Sequence, residues 1–459
     1  MDQRICANHV SDPHLKAIID ASESTEAECD YCDRVAPTLS AWELAQQFDA
    51  MFDRYFMSTS GDGDERWNDV DDDEPEGESV LEVLERVAGL AGEAAADVAE
   101  QFGEMWFDRD TMEIQYGEDP HFVQIDKLDE PLSRAWSDME RSLKYEARFN
   151  NPTVHRMLEK VFGPILDDRI LGSEGVVIEI EPGDAHSTLY RARPFASLDE
   201  LQSALQTPER SLGPPPPGIG RAGRMNAKGV PVFYGALDPS VAIAEVRPPV
   251  GSHVVLAQFT VARSLRLLDI QRLILIDGVG SLLDPATYDR VTRRDFLKKL
   301  VRKIVRPIMP EHEDEDYLIT QAVADFLSTH EQLNLDGILF ASAQLDPKTR
   351  LEKDGRNIVL FNKSSKIDSQ NDEGGPFAEW ETHFNLWDYD DYQVKLDPVL
   401  VTESVKPEVR LPLGMSRGKK LLGPALTLDR DTIQIHRVQG VSFTTTATDI
   451  AHHRIAKKE

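Results

Sequence analysis

RAGRMNAKGVPVFYGALDPSVAIAE, residues 221–245, reads as a glycine-bordered loop, a strand and the start of a short helix. Gly220 and Gly223 flank the loop's opening and let the backbone come close to a ligand. VPVFYG (230–235) is the strand, and Pro239 stands where a helix can begin. The stretch carries Arg224, Tyr234 and Glu245, with nine residues between the first two and ten between the last two. A cation, an aromatic face and a carboxylate on adjoining elements can hold an anionic, ring-bearing ligand and act on it. That combination points to an enzyme acting on a nucleotide.

Outward from this stretch the texture alternates. GVVIEI (175–180) and TLYRAR (188–193) read as strands, and Arg191 lies in the second. Ser197 and Glu200 mark the start of a short helix, and GPPPPG (213–218) is an extended loop because its prolines lack donors. HVVLAQFTV (253–261) is a strand, and helices are predicted over 294–308 and 316–330. DGILFAS (336–342) and NIVLF (357–361) are buried-strand candidates; Ser342 ends the first and Asn357 opens the second. Beyond Lys366 the chain is polar with scattered aromatics, closing on short alternating stretches, TIQIHRV and VSFTTT. Strands interleaved with helices predict an α+β domain.

Ahead of Gly172 the pattern is helical. Ser40 and Glu43 form a capping-box pattern, with Trp42, Leu44, Phe48, Phe52 and Tyr55 as the apolar set behind it. Ser79 and Glu82 open a second helix that runs to about Phe102. Two more helices are predicted near 131–149 and 152–168. The acidic run GDGDERWNDVDDDEPEGE (61–78) reads as a solvated loop.

The 459 residues allow two or three domains. Net charge is −31, from 50 basic and 81 acidic residues. That excess argues against long-range attraction to nucleic acid or an anionic membrane. The one locally basic run, RRDFLKKLVRKIVR (293–306), reads as an amphipathic helix with its cations on a solvated face. The N-terminus, MDQRICANHVSD, is polar from the start, and no apolar run reaches the ~20 residues of a membrane helix. The expectation is a soluble, cytoplasmic protein.

Cys6, His9, Cys29 and Cys32 form C-x2-H … C-x2-C, with nineteen residues between the halves. Each half brings two ligands together across a tight turn, and no cysteine is left over. Four such ligands close a tetrahedral site suited to zinc. With all four positions filled by protein, the expected zinc is structural.

The blocks LYRAR, GRMNAKGVPVFYGALDPSVAIAEV, DGILFAS and NIVLF, in that order, resemble the RES domain, named for its Arg, Glu and Ser. CANH … CDYC followed by helices and KYEARF (144–149) resembles the HEPN/RES N-terminal domain that precedes it in larger members. The resemblance implies a multidomain protein: a zinc-stapled α-helical N-terminal domain, then an α+β RES domain similar to the diphtheria-toxin-type ADP-ribosyltransferase fold. On this reading, residues 1–36 are a zinc-binding segment and 37–172 a helical HEPN-like domain. The RES domain is then 173–368, and 369–459 a C-terminal extension.

The same resemblance implies a function. Many RES proteins are toxins of bacterial toxin–antitoxin pairs, and they consume NAD+ or transfer ADP-ribose from it. The expected activity is that of an NAD+ glycohydrolase, phosphorylase or ADP-ribosyltransferase, with water, phosphate or a macromolecule as acceptor. NAD+ is then a substrate, and an antitoxin or an ADP-ribose acceptor protein is an expected partner. Carried over residue by residue, Glu245, Arg224 and Tyr234 are catalytic, and Arg191 and Ser342 bind substrate. Glu245 would stabilise the oxocarbenium charge that develops as the nicotinamide–ribose bond breaks. Arg224 and Arg191 would clamp pyrophosphate. Tyr234 would stack on nicotinamide or its ribose, and Ser342 would hydrogen-bond the nicotinamide ribose or amide. Absence of GxGxxG before a helix argues against a Rossmann dinucleotide site.

Two other readings compete. HEPN nucleases carry an Arg followed closely by His, and Arg148 and His155 in RFNNPTVH have six residues between them. The acidic charge of the chain weighs against tight RNA binding. The other reading is a non-catalytic scaffold in which the RES-like domain senses a nucleotide.

Overall fold

The computed structural model describes residues 3–22, 27–32, 34–59, 77–117, 119–125, 128–170, 172, 174–277, 280–306, 313–344, 354–368, 381–385, 395–399, 423–442 and 445. They fall into two units: Met1–Asp138 with Ile276–Lys299, and Met139–Leu275 with Leu300–Glu459.

In the first unit, both sequence-level capping boxes form. Ser40 Oγ accepts from the Glu43 amide (3.2 Å) while Glu43 Oε2 accepts from the Ser40 amide (2.8 Å), opening the helix Ala41–Tyr55. That helix buries Leu44, Phe48, Phe52 and Tyr55 on one face. Phe52 meets Phe102, Trp106 and Phe122 with ring centroids 5.6, 5.6 and 4.5 Å away. The single helix expected from Ser79 to Phe102 is two, Val80–Ala88 and Gly92–Met105. Gly89 ends the first in the left-handed region (φ 63°), where a Cβ would lie 2.3 Å from Ser11 Oγ.

The unit is not all-helical: Phe56–Ser58, His121–Gln124 and Glu78–Ser79 form a three-stranded sheet. Residues 1–36 are not a separate segment either. Ile5, Val10, Leu15 and Ile19 share one core with Phe48, Phe102 and, from far along the chain, Leu283 and Val291. Apolar side chains this few cannot build a core alone and so join the nearest one. Of the acidic run 61–78, only Gly77 and Glu78 lie among the described residues.

The helix Pro285–Val305 begins nine residues before the expected 294, because Asp284 accepts from the Ala286 amide (3.0 Å) and Pro285 suits a first turn. Its cations are not simply solvated. Arg293 is buried, and Lys299 lies 2.6 Å from the carboxylate of buried Asp129.

The second unit is built on a nine-stranded sheet among the described residues. In chain order its strands are β1 Val177–Ile180, β2 Thr188–Phe195, β3 Phe233–Ala236, β4 His253–Val261 and β5 Leu265–Asp269. They continue with β6 Gly337–Ala341, β7 Arg356–Leu360, β8 Ile367–Asp368 and β9 Leu426–Arg437. Across the sheet the order is β1-β5-β6-β7-β3-β2-β4-β9-β8. Pairs are antiparallel except β5 with β6 and β8 with β9. The period of two sorts the side chains. Leu189, Phe233, Phe259, Leu339 and Ile358 fill one core, whereas Ala192, Ala236, Val254 and Leu256 form another with Val241 and Ala242 of the helix Pro239–Glu245.

Every strand block expected between 175 and 361 is present. Of the expected C-terminal extension, residues 426–437 are β9, which pairs along β4 and buries Leu426 and Leu428. The sheet therefore does not end at 368. Of VSFTTT (441–446), Val441, Ser442 and Thr445 are described and lie in no strand, and the other three fall outside the described residues. No helix among the described residues is long and apolar enough to cross a membrane.

Candidate functional site

The stretch 221–245 folds as a loop, β3 and the helix Pro239–Glu245, and frames a cleft of about 410 Å³. A cleft of this size suits a small ligand. Asp238 caps the helix, its Oδ1 accepting from the Ser240 amide at 2.8 Å and the Val241 amide at 3.4 Å. Seven residues later the helix ends at Glu245, which the cap thereby aims at the cleft.

Glu245 Oε1 accepts two hydrogen bonds: from Ser342 Oγ at 2.5 Å and from Asn357 Nδ2 at 2.7 Å. Ser342, just past the end of β6, is fully buried, and its oxygen also accepts from the Gln344 amide at 3.1 Å. The residue expected to touch a ligand therefore holds the carboxylate from behind. Asn357, on β7, lines the cleft and is 4% exposed. Its Oδ1 is buried with no partner among the described residues.

Arg191 lines the same cleft from β2, with its guanidinium over the Phe233 ring at 5.1 Å. Gly235 gives that ring its place, since a Cβ there would lie 2.8 Å from Phe233 Cε1. Arg191 Nη1 is buried without a hydrogen-bond partner among the described residues. Burial, with Arg193 nearby, pushes this guanidinium down to about 10. A buried cation in need of an acceptor favours an anionic ligand.

Arg224 and Tyr234 also line the cleft, but both side chains are engaged by protein. Arg224 Nη1 donates to the Ile304 carbonyl and Nη2 to the Arg306 carbonyl (3.0 Å), at the end of the helix Pro285–Val305. A guanidinium there meets the negative pole of the helix. A pyrophosphate clamp at Arg224 would have to replace these bonds. Tyr234 Oη donates to Asn226 Oδ1 (2.9 Å) and accepts from the Met225 amide (3.0 Å). Burial raises this phenol above its usual value, which keeps the donor proton in place.

Sequence reasoning did not single out Asn226. Its Nδ2 donates to the carbonyls of Arg221, Ala227 and Val230 at 3.0, 3.2 and 3.1 Å, so one side chain ties the whole loop. Gln321 Nε2 (2.9 Å, to the Gly223 carbonyl) and Thr320 Oγ1, which donates to the Arg224 carbonyl, fasten it to the helix Glu313–Thr329. An Asn between glycines resembles any turn residue, so its role was invisible in the sequence. Arg247, two residues past Glu245, also lines the cleft and holds a positive φ of 44°. Arg191, Arg224 and Arg247 thus stand with the Glu245 carboxylate around one cavity.

The cysteine motif converges in the first unit. Cys6 ends the strand Arg4–Cys6, His9 follows in the 3-10 turn Ala7–His9, and Cys29 and Cys32 flank a turn in which the Cys32 amide donates to the Cys29 carbonyl (3.4 Å). All three cysteines are free, and one ligand atom from each of the four residues lies within 4.8 Å of the others. Cys6 Sγ and Cys32 Sγ are 3.6 Å apart. His9 Nε2 is buried with no partner among the described residues.

Arg148 and His155 are both exposed on either side of Pro152, which opens the helix Pro152–Phe162 behind the Asn151 cap. His155 leans on the Phe326 ring, centroids 5.8 Å apart.

No curated protein and no solved structure matches the chain. A family model does match: residues 188–378, a span that contains β2 through β8 and every residue lining the cleft, match the RES domain.

Proposed function

We propose that the cleft binds NAD+ and cleaves its nicotinamide–ribose bond, passing ADP-ribose to water, phosphate or a macromolecule. The observation that carries this is the Glu245 carboxylate, fixed by Ser342 and Asn357 in a cleft that Arg191 also lines, its Nη1 without a partner among the described residues. A preorganised carboxylate stabilises the positive charge that develops at the ribose as neutral nicotinamide leaves. The buried Arg191 cation would give the dinucleotide's phosphates a partner already stripped of water. We assign the sheet of the second unit to the diphtheria-toxin transferase class, the fold that the RES resemblance implies.

The test is NAD+ turnover by wild-type chain and by Glu245→Gln, with products read by mass spectrometry in the presence and absence of phosphate. Turnover is expected to fall about 10²–10³-fold in the variant, the scale of losing one preorganised electrostatic partner. An equal rate in the variant would remove Glu245 from the mechanism.

The four ligands near the N-terminus fit zinc. Tetrahedral geometry with Zn–S near 2.3 Å places sulfurs roughly 3.8 Å apart, close to the 3.6 Å between Cys6 and Cys32. His9 Nε2, without a partner among the described residues, completes the set. The role is structural, stapling the start of the first unit, whose helices we assign to the HEPN type. Purified protein should hold one zinc per chain, and Cys32→Ser should lose it; a metal-free wild-type chain would end this reading. A toxin-like role in the cytoplasm, with an antitoxin or an acceptor protein as partner, follows from the same proposal. Co-expression toxicity that depends on Glu245 is its test.

A further inference from the structure

We infer that Asn357 is a positioning residue that decides which oxygen of Glu245 works on the ligand. The inference rests on the NAD+ reading of the cleft. A carboxylate only accepts, so the Asn357 amide must present Nδ2 to Glu245 Oε1, and its orientation is fixed by chemistry. Ser342 Oγ donates to the same oxygen. Oε1 therefore carries both protein donors, and Oε2 is the oxygen left to face a ribose hydroxyl or developing positive charge. Ser342 cannot set this orientation alone: a single bond at one oxygen leaves the carboxylate free to rotate about it, and Asn357 supplies the second direction. Asn357 Oδ1 has no partner among the described residues, a costly arrangement for a buried acceptor that a purely structural amide would avoid.

Two substitutions separate positioning from packing. Asn357→Leu keeps the volume and removes the donor; Asn357→Asp keeps the shape and replaces the donor by a second carboxyl 2.7 Å from Glu245. Two carboxyls so close share one proton, and the pair's upper apparent pKa rises. While that proton is held, the introduced carboxyl can still donate to Glu245; once it is lost, the donor becomes a repelling charge. The other titratable groups lining the cleft, Arg191, Arg224, Arg247, Tyr190, Tyr234 and Tyr317, are of types that ordinarily titrate near pH 10 or above.

The expected results are these. Asn357→Leu lowers kcat for NAD+ about tenfold or more, with KM changed less than about threefold, as a displaced catalytic group does. Asn357→Asp approaches wild-type kcat at low pH and loses it as pH rises, along a limb that the wild type lacks. Circular dichroism and thermal unfolding check that each variant is folded. If Asn357→Leu does not fold, the pH limb of Asn357→Asp decides. A titration of 13C-carboxyl-labelled Glu245 reads the contact without substrate, and should show a raised apparent pKa in Asn357→Asp. Variants with unchanged kcat and pH profile, or an unshifted Glu245 titration, would overturn the inference. A wild-type chain that leaves NAD+ intact would instead refute the proposed function, and the titration would still decide the role of Asn357.

Discussion

Replacing Tyr234 by Phe removes one hydroxyl and keeps the ring, which separates two jobs the side chain can do. A stacking face for a nicotinamide needs only the ring. The geometry gives the hydroxyl a different task, since it accepts from the Met225 amide and donates to Asn226 Oδ1, the residue that ties the loop 221–230 together. Met225 and Asn226 are both nearly fully buried. Each group left unpaired costs about 1–3 kcal/mol, and partial relaxation of a surface loop brings the expected total to about 2–4 kcal/mol. Part of that cost is local. A loss of about 2 kcal/mol is roughly thirtyfold in an opening equilibrium, so exchange of the Met225 amide should speed up by about that factor, read by NMR in folded protein. Urea unfolding gives the global part. If the loop is what positions Arg224 and Gly223 at the cleft, KM for NAD+ rises several-fold while kcat changes little. Unchanged amide exchange and stability, combined with a collapse of kcat, would refute this reasoning and make the hydroxyl a participant in the chemistry.

Arg224→Lys keeps the charge but cannot reach both the Ile304 and Arg306 carbonyls with a planar fork. It should cost about 1 kcal/mol of stability at the helix end and raise KM for NAD+ more than it lowers kcat. Phe52→Ala, at the centre of the aromatic cluster of the first unit, should cost about 3–5 kcal/mol by urea unfolding. Asp336 supplies a pH signature: burial alone would raise its carboxyl, but bonds from Arg263, Ser364 and the Arg266 amide outweigh that and hold it below the usual carboxylate range. A depressed carboxyl stabilises fully above its unfolded pKa near 4 and loses that contribution as pH falls through the lower folded value. The stability gap between wild type and Asp336→Asn should therefore be full at pH 6 and shrink below about pH 4, measured as urea midpoints across pH.

Of the residues that sequence reasoning brought together by family spacing, Arg191, Arg224, Tyr234 and Glu245 line one cleft and Ser342 is bonded to Glu245, but the spacing could not apportion their work. Strands were legible because period-two apolar runs such as HVVLAQFTV must bury one or both faces, and the caps at Ser40, Ser79 and Asp238 follow from local donors alone. What stayed hidden depends on groups far apart in the chain. Gly89 ends a helix in the left-handed region, and Ser11 fills the space where a Cβ would go, so only glycine fits there. Residues 426–437 enter the sheet because β4 offers an edge to them. Ser342 looked like a ligand contact until Glu245, ninety-seven residues away, proved to be its partner. Arg224 looked like a phosphate clamp until two carbonyls of a helix end claimed its fork. A polar residue's role is set by which of its donors and acceptors the fold has already satisfied, and that accounting needs coordinates. By that accounting, Arg191 Nη1 and Asn357 Oδ1, on two residues that line the cleft, are a donor and an acceptor with no partner among the described residues. Both atoms are buried beneath the cleft lining, so a ligand offering an anion to the first or a hydroxyl or amide proton to the second reaches them only as that lining adjusts.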